Sequence, residues 1–254
     1  MSQARGRLLR PALGLAGLVV LFGVWEVAVR GGWIQSGFLP APSSLGPAWL
    51  DEVRSGAWVQ AIRDSLPHYL TGLVAGSVTG TLVGLLCGTL PVLDGLLSGI
   101  VRVLRPIPGL AWVPFAILWF GLNTAGATFI IAISVFWINF YAAYGAVRAI
   151  DPDLYEVTAA FGHGGFRARL RTVVLPAASP GVLDGLRTGI GQAWMSVVAA
   201  ELFGVPGIGA RMMQASSLLA TDLVVVYMLT MALLYAVTDM LFMLVRRRLL
   251  GWQG

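Results

Sequence analysis

Arg148 to Pro176 reads RAIDPDLYEVTAAFGHGGFRARLRTVVLP, a polar segment set between two apolar stretches. A membrane protein seldom spends so many charges on a connector unless something docks there. Asp151-Pro152 is a helix-start signal, with the aspartate as N-cap and the proline at the first helical position. Asp153 and Glu156 fall in the first turns, where carboxylates favour the positive end of the helix dipole. The helix is predicted to run through EVTAAF and to stop at Gly162, with Gly164 and Gly165 behind it. A second helical piece, FRARLRTVVL, carries Arg167, Arg169 and Arg171 and is expected to end at Pro176. The segment reads as a rigid elbow whose acidic arm can pair with its own basic arm or with a partner.

Outward from this elbow nearly everything is apolar. The chain is 57% hydrophobic and 11% charged, with mean hydropathy +0.80, whereas soluble domains carry about a quarter charged residues. An integral membrane protein follows. All 17 basic residues are arginine. Without lysine the chain can hold no Walker A phosphate loop and form no Schiff base. Its one cysteine, Cys87, excludes an internal disulfide and a cysteine-based zinc site. His68 and His163 lie far apart in sequence, so a His-paired active site would need a tertiary coincidence. The net charge of +5 is explained by positive-inside bias, and no nucleic-acid partner is expected.

A hydrocarbon core of about 30 Å needs about 20 apolar residues as helix. Six stretches qualify: 12–29, 66–90, 99–121, 124–147, 180–203 and 222–245. The third contains Pro106, Pro108 and Pro114 and is expected to be kinked. With the N-terminus inside, 13 arginines fall on the cytoplasmic side and 4 outside, which puts both termini and the 148–176 loop in the cytoplasm. The first span reads as an uncleaved anchor, because no convincing cleavage site follows it. Between spans one and two, FLPAPSSLGPAW is a proline-rich extracytoplasmic connection. WLDEVRSGAWVQAI then reads as a helix lying along the interface.

Gly72, Gly76, Gly80, Gly84 and Gly88 recur every four residues on one face of span two. Small-xxx-small spacing lets backbones touch where dispersion drives association. Intramolecular packing is the expected use, a subunit or gate interface the other. Polar residues at membrane depth are functional candidates because burying them is expensive. Here they are Asn139, Asp184, Arg187, Gln192, Glu201 and Asp239, with Asp184 and Arg187 spaced to pair within one helix.

The order Glu156, Ala159-Ala160, Gly162, then Leu175-Pro176 resembles the EAA loop of permease subunits of type I ABC importers. Val157-Thr158 stand where that motif has Ala-Ala, and the interval to Leu-Pro is one residue longer. RPIPGLAWVPFAILWFGL (105–122), VRAIDPDLYE (147–156), LPAASPGVLDGLRTGIGQAWMSVVAAELF (175–203) and TDLVVVYMLT (221–230) are similar to the nitrate/sulfonate/taurine branch. The resemblance spans about 38–250 and implies an all-α integral membrane permease with a cytoplasmic coupling helix, in a single transmembrane domain. It implies that Asp153, Tyr155, Glu156, Ala159, Ala160, Gly162, His163, Phe166 and Arg167 couple to a separate ATPase. Asn139, Gln192, Trp194 and Glu201 are the pathway or gate candidates, with Glu201 as a brace of the outer gate. Gly207-Ile208-Gly209 would turn near the docking surface of a binding protein.

The partners so implied are two ABC ATPase subunits, a second permease copy forming a homodimer, an extracytoplasmic solute-binding protein and membrane lipid, in a bacterial inner membrane. No cofactor or metal is expected in this chain, ATP and magnesium belonging to the ATPase, and no bond-breaking chemistry. The expected cargo is a small anion such as an aliphatic sulfonate, taurine or nitrate. Bicarbonate and a thiamine-precursor pyrimidine stay open, as do, at a distance, a stand-alone carrier and a polytopic membrane enzyme.

Overall fold

The structure is a computed structural model describing residues 2–35, 37–162, 165–202 and 204–249, so His163 and Gly164 lie outside the described residues. Every regular element described is helical. In chain order they are α1 (Ser2–Arg30), α2 (Pro42–Arg54), α3 (Ala57–Thr89), α4 (Pro91–Leu104), a 3-10 turn (Gly109–Trp112), α5 (Val113–Phe120) and α6 (Thr124–Arg148). Then come α7 (Pro152–Ala160), α8 (Phe166–Arg169), a π-helical turn (Leu170–Val174), α9 (Leu175–Glu201), α10 (Ile208–Ser217) and α11 (Thr221–Leu249).

Among the described residues, four helices have the length and composition to cross a bilayer: Leu13–Arg30, α3, α6 and Thr221–Arg248. The expected span 99–121 is no single rod. α4 and the 3-10 turn with α5 meet at 89°, because Pro106 and Pro108 remove two backbone donors and cannot continue a helix. That bent pair makes a fifth crossing at most. The expected span 180–203 falls in α9, whose 27 residues would extend about 40 Å. Its Asp184, Arg187, Gln192 and Glu201 leave it too polar to pass as a lipid-facing span. The interfacial helix expected over WLDEVRSGAWVQAI is also corrected. Its first half ends α2 and its second half opens α3, because Gly56 takes a φ of +79° between them.

The chain divides into two compact units. One is built from residues up to Ala61 with Arg211–Thr230. In it Glu26 accepts from the Ser43 amide and hydroxyl at 3.0 and 2.8 Å, fastening the first turn of α2 to the end of α1. Buried Glu52 receives Arg211 at 2.8 and 2.9 Å and the Tyr227 hydroxyl at 2.5 Å. The Tyr227 and Glu52 hydrogen bonds push the Arg211 guanidinium up from its usual value, so it remains a cation.

The other unit is Ile62–Ala210 with residues from Met231 on. Its frame is the trio α3, α6 and α9. A Cβ at Gly72 would stand 2.7 Å from Ile131, and one at Gly88 2.7 Å from Val147. Gly76, Gly80 and Gly84 face the backbone carbonyls of Ala132, Phe136 and Phe140 in the same way. All five glycines therefore serve packing of α3 on α6 within the chain. On the neighbouring face of α6, Gly181, Gly185 and Gly189 of α9 lie against Ala146, Ala142 and Asn139. α6 starts where Asn123 accepts from the amides of Ala125 and Gly126 at 2.8 and 3.2 Å.

Gly80→Leu is expected to force α3 off α6 and destabilise the protein by about 1–3 kcal/mol, as overpacking does. Gly145→Ala, with open space around it, is expected to leave the thermal midpoint in detergent unchanged. Equal midpoints for the two variants would contradict this packing.

Candidate functional site: the elbow and a buried carboxylate

The elbow forms much as its residues dictate. Asp151 accepts from the Asp153 amide at 3.0 Å and opens α7 behind Pro152. Phe161 ends the helix, and Gly162 turns away with φ +83°. Tyr155 is half-buried against Val147, Ile150, Val173, Val174 and Ala178, a core shared by the end of α6 and the start of α9. Asp153, Glu156, Ala159, Ala160, Phe166 and Arg167 are exposed. Leu154, Val157 and Phe161 are exposed too, Phe161 to 79%. Among the described residues Asp153 and Glu156 form no ion pair with Arg167, Arg169 or Arg171, so the two arms are not clasped to each other.

Pro176 does not end the basic arm. Helix continues from α8 through the π turn into α9 without interruption. A proline ring clashes with the carbonyl four residues back in a regular helix, and the wider π turn at 170–174 takes up that misfit. The elbow therefore has no hinge at its exit, and α9 carries on directly to Glu201.

At that far end lies a polar cluster buried in the same unit. Glu201 is 0% exposed and His68 1%. Oε1 of Glu201 accepts the Ser65 hydroxyl at 2.6 Å and meets His68 Nε2 at 2.5 Å. Oε2 accepts the Gly209 amide at 2.6 Å, and the Ile208 amide donates to Ser65 Oγ at 2.9 Å. A carboxylate oxygen is an acceptor, so the ring nitrogen is the donor in the His68 contact. Gly207 has φ +154°, and any side chain there would collide with the Glu201 carboxylate. One side chain at the end of α9 thus holds α3 and the first turn of α10, where helix amides favour a negative group.

The remaining candidates pack within the protomer. Asn139 is 1% exposed. It donates to Val135 O at 3.0 Å and Ser77 Oγ at 3.4 Å, while its Oδ1 has no partner among the described residues. Trp194 is buried, stacked on Tyr69 with centroids 4.0 Å apart, and donates to Thr238 at 3.2 Å. Gln192 is half-buried and donates to Ser196 at 3.3 Å. The Asp184–Arg187 pair expected within α9 does not form. Arg187 instead makes a two-pronged bond to Asp239 at 2.7 and 2.9 Å, and Asp184 takes Arg246 at 2.9 Å. Facing charges on α11 offer better geometry than an aspartate three residues away on the same helix. Sequence reading missed Ser65 and His68, although their i,i+3 spacing beside an apolar span marks one polar face.

Several apolar crossings, glycine-tight contacts, charges paired helix to helix and an exposed helical elbow define a multi-pass membrane protein. The chain belongs to the binding-protein-dependent transport system inner membrane component family, whose profile matches residues 80–251. It is 34% identical over 235 residues to the putative aliphatic sulfonates transport permease protein SsuC of Escherichia coli K12, covering 92% of this chain and 89% of that one. It is 30% identical to the taurine transport system permease protein TauC of the same organism, over 95% and 90% of the two chains. The bicarbonate transport system permease protein CmpB of Synechocystis is 31% identical, over 82% and 76%. The protein is a multi-pass transmembrane subunit of an ABC importer, a family that works with ATPase and binding-protein partners.

Glu201→Gln removes one acceptor and points amide hydrogens at the Ser65, His68 or Gly209 donors. A loss of about 1–3 kcal/mol is expected for the buried donor left unpaired. Ser65→Ala strands the neutral Ile208 amide but should cost less, since His68 and Gly209 still hold the carboxylate. Thermal unfolding in detergent checks the ranking, and a harmless Glu201→Gln would refute the clamp.

Proposed function

We propose that the chain forms one half of a homodimeric translocation pathway for a small organic anion of the sulfonate class, driven through the elbow by two ATPase subunits. The observation that carries the coupling is the elbow's construction. α7 presents Leu154, Val157, Phe161 and Glu156 to the exterior while Tyr155 fixes it to the ends of α6 and α9. A partner seated on that face would move both helices at once. Asp153, Ala159, Ala160, Gly162, His163, Phe166 and Arg167 belong to the proposed contact. ATP and magnesium stay with the ATPase, and this chain breaks no bond.

Both termini and the elbow are cytoplasmic in this reading, on the arginine-rich side. Glu201 braces the outer end, where a binding protein would deliver cargo beside the Gly207–Gly209 turn. The sulfonate class is favoured by the names of relatives that cover nine-tenths of the chain. Bicarbonate is the second reading, favoured by the similar identity of a bicarbonate permease.

Glu156→Ala is expected to lower transport and binding-protein-stimulated ATP hydrolysis about fivefold or more, the usual scale of a coupling energy, with membrane insertion intact. Wild-type rates in that variant would remove Glu156 from the coupling. For the cargo, calorimetry on the cognate binding protein is expected to give tight binding of taurine or short alkanesulfonates. Tight binding of bicarbonate, nitrate or a pyrimidine with no response to sulfonates would replace the sulfonate reading.

A further inference from the structure

At the end of the Ile62–Ala210 unit that bears the elbow, α3, α4 and α6 enclose a cavity of about 390 Å³. Its polar wall is Asp94, Ser98, Arg102, Arg105, Tyr141 and Tyr144. The Arg105 guanidinium lies 4.2 Å over the Tyr141 ring, and that of Arg148 lies 5.9 Å from the Tyr144 ring. The Tyr144 hydroxyl donates to Asp94 at 3.2 Å. Two arginines against one carboxylate leave this wall cationic, with Arg148 behind the Tyr144 ring. Among the described residues Arg102 and Arg105 form no ion pair, so they can give forked bonds to an oxyanion.

A second cavity of about 450 Å³ adjoins it and shares Leu97, Val101 and Phe140. Its lining is hydrocarbon and aromatic, from Ile100, Leu104, Phe136 and Trp137 among others. The one hydroxyl there, Thr79, is already spent on the Ala75 carbonyl at 2.6 Å. No residue of α4 is buried by the rest of the chain, although Leu96, Ile100 and Val103 are large and apolar. A cationic head site joined to a dry apolar groove matches an amphiphile with an oxyanion head and a long hydrocarbon tail. A small hydrated solute would gain nothing from the second cavity.

The geometry points to a bound anionic phospholipid of the phosphatidylglycerol type, its phosphate at Arg102 and Arg105 and one acyl chain along the groove between α4 and α6. Basic pockets between transmembrane helices take phospholipid heads in this manner. Asp94 repels a bare phosphate but accepts from the hydroxyls of a glycerol head, which selects a hydroxylated anionic lipid over a phosphatidic acid.

The full-length protein in mild detergent, titrated with phosphatidylglycerol and phosphatidylcholine of equal chain length, tests this by native mass spectrometry. Wild type is expected to retain phosphatidylglycerol roughly tenfold better, given the attraction each arginine contributes. Arg102→Gln with Arg105→Gln should bring the two lipids to parity. Ile100→Trp, which fills the groove and leaves the arginines, should lower retention of phosphatidylglycerol. Unchanged thermal midpoints establish that the variants fold. Equal retention of both lipids by wild type, or a preference that survives loss of both arginines, would overturn the proposal. So would arginine-dependent binding of hexanesulfonate without lipid preference, which would give the site to a transported anion.

Discussion

Direct contact between helix backbones is the constraint on which this structure depends. In a bilayer, lipid tails are as apolar as leucine, so burial of hydrocarbon gives little reason for one helix to prefer another. Attraction must come from atoms in van der Waals range over long stretches. Five glycines along α3 and three along α9 supply that on two adjoining faces of α6. With both neighbours drawn in, α6 becomes the axis of its unit. Ile131, Val135, Ala143 and Ala127 on it are sealed to 1% exposure or less.

That axis also decides where polar groups can survive. Glu201, His68 and Asn139 are tolerated because neighbouring helices exclude lipid and provide partners. The same helix, α9, begins against the elbow core at Val173, Val174 and Ala178 and ends at the Glu201 clamp. Its entry is a π turn and its exit a buried carboxylate. A displacement of α8 therefore meets no break in the helix before it reaches the far end of α9.

Much of this was legible in the residues. The four-residue glycine period marked the packing face of α3, though not that α6 is its partner. Asp151-Pro152 and Gly162 marked the two ends of α7, and the three prolines of 106–114 marked the 89° bend. Local signals of this kind act within a turn or two of helix. What escaped was set by partners distant in sequence: His68 and Glu201 are separated by 133 residues, Arg187 and Asp239 by 52. The nearby Asp184 looked like the natural mate for Arg187, and nothing local says that α11 offers a better one. Pro176 misled for the opposite reason, since a proline is a stop signal only if the preceding turn is regular.

The two ion pairs between α9 and α11 carry a consequence for how the protein is made. Charged side chains along a helix in a membrane protein usually pair with one another. With Asp184, Arg187 and Glu201 along it, α9 lacks the hydrophobicity to hold a transmembrane position by itself. Arg246 and Asp239, which neutralise two of these charges, emerge from the ribosome only after α9 is complete. Both ion pairs that join α9 to α11 can thus form only late in synthesis, once α11 has been made. A chain cut short before α11 would leave Asp184 and Arg187 of α9 without the partners they hold in the structure.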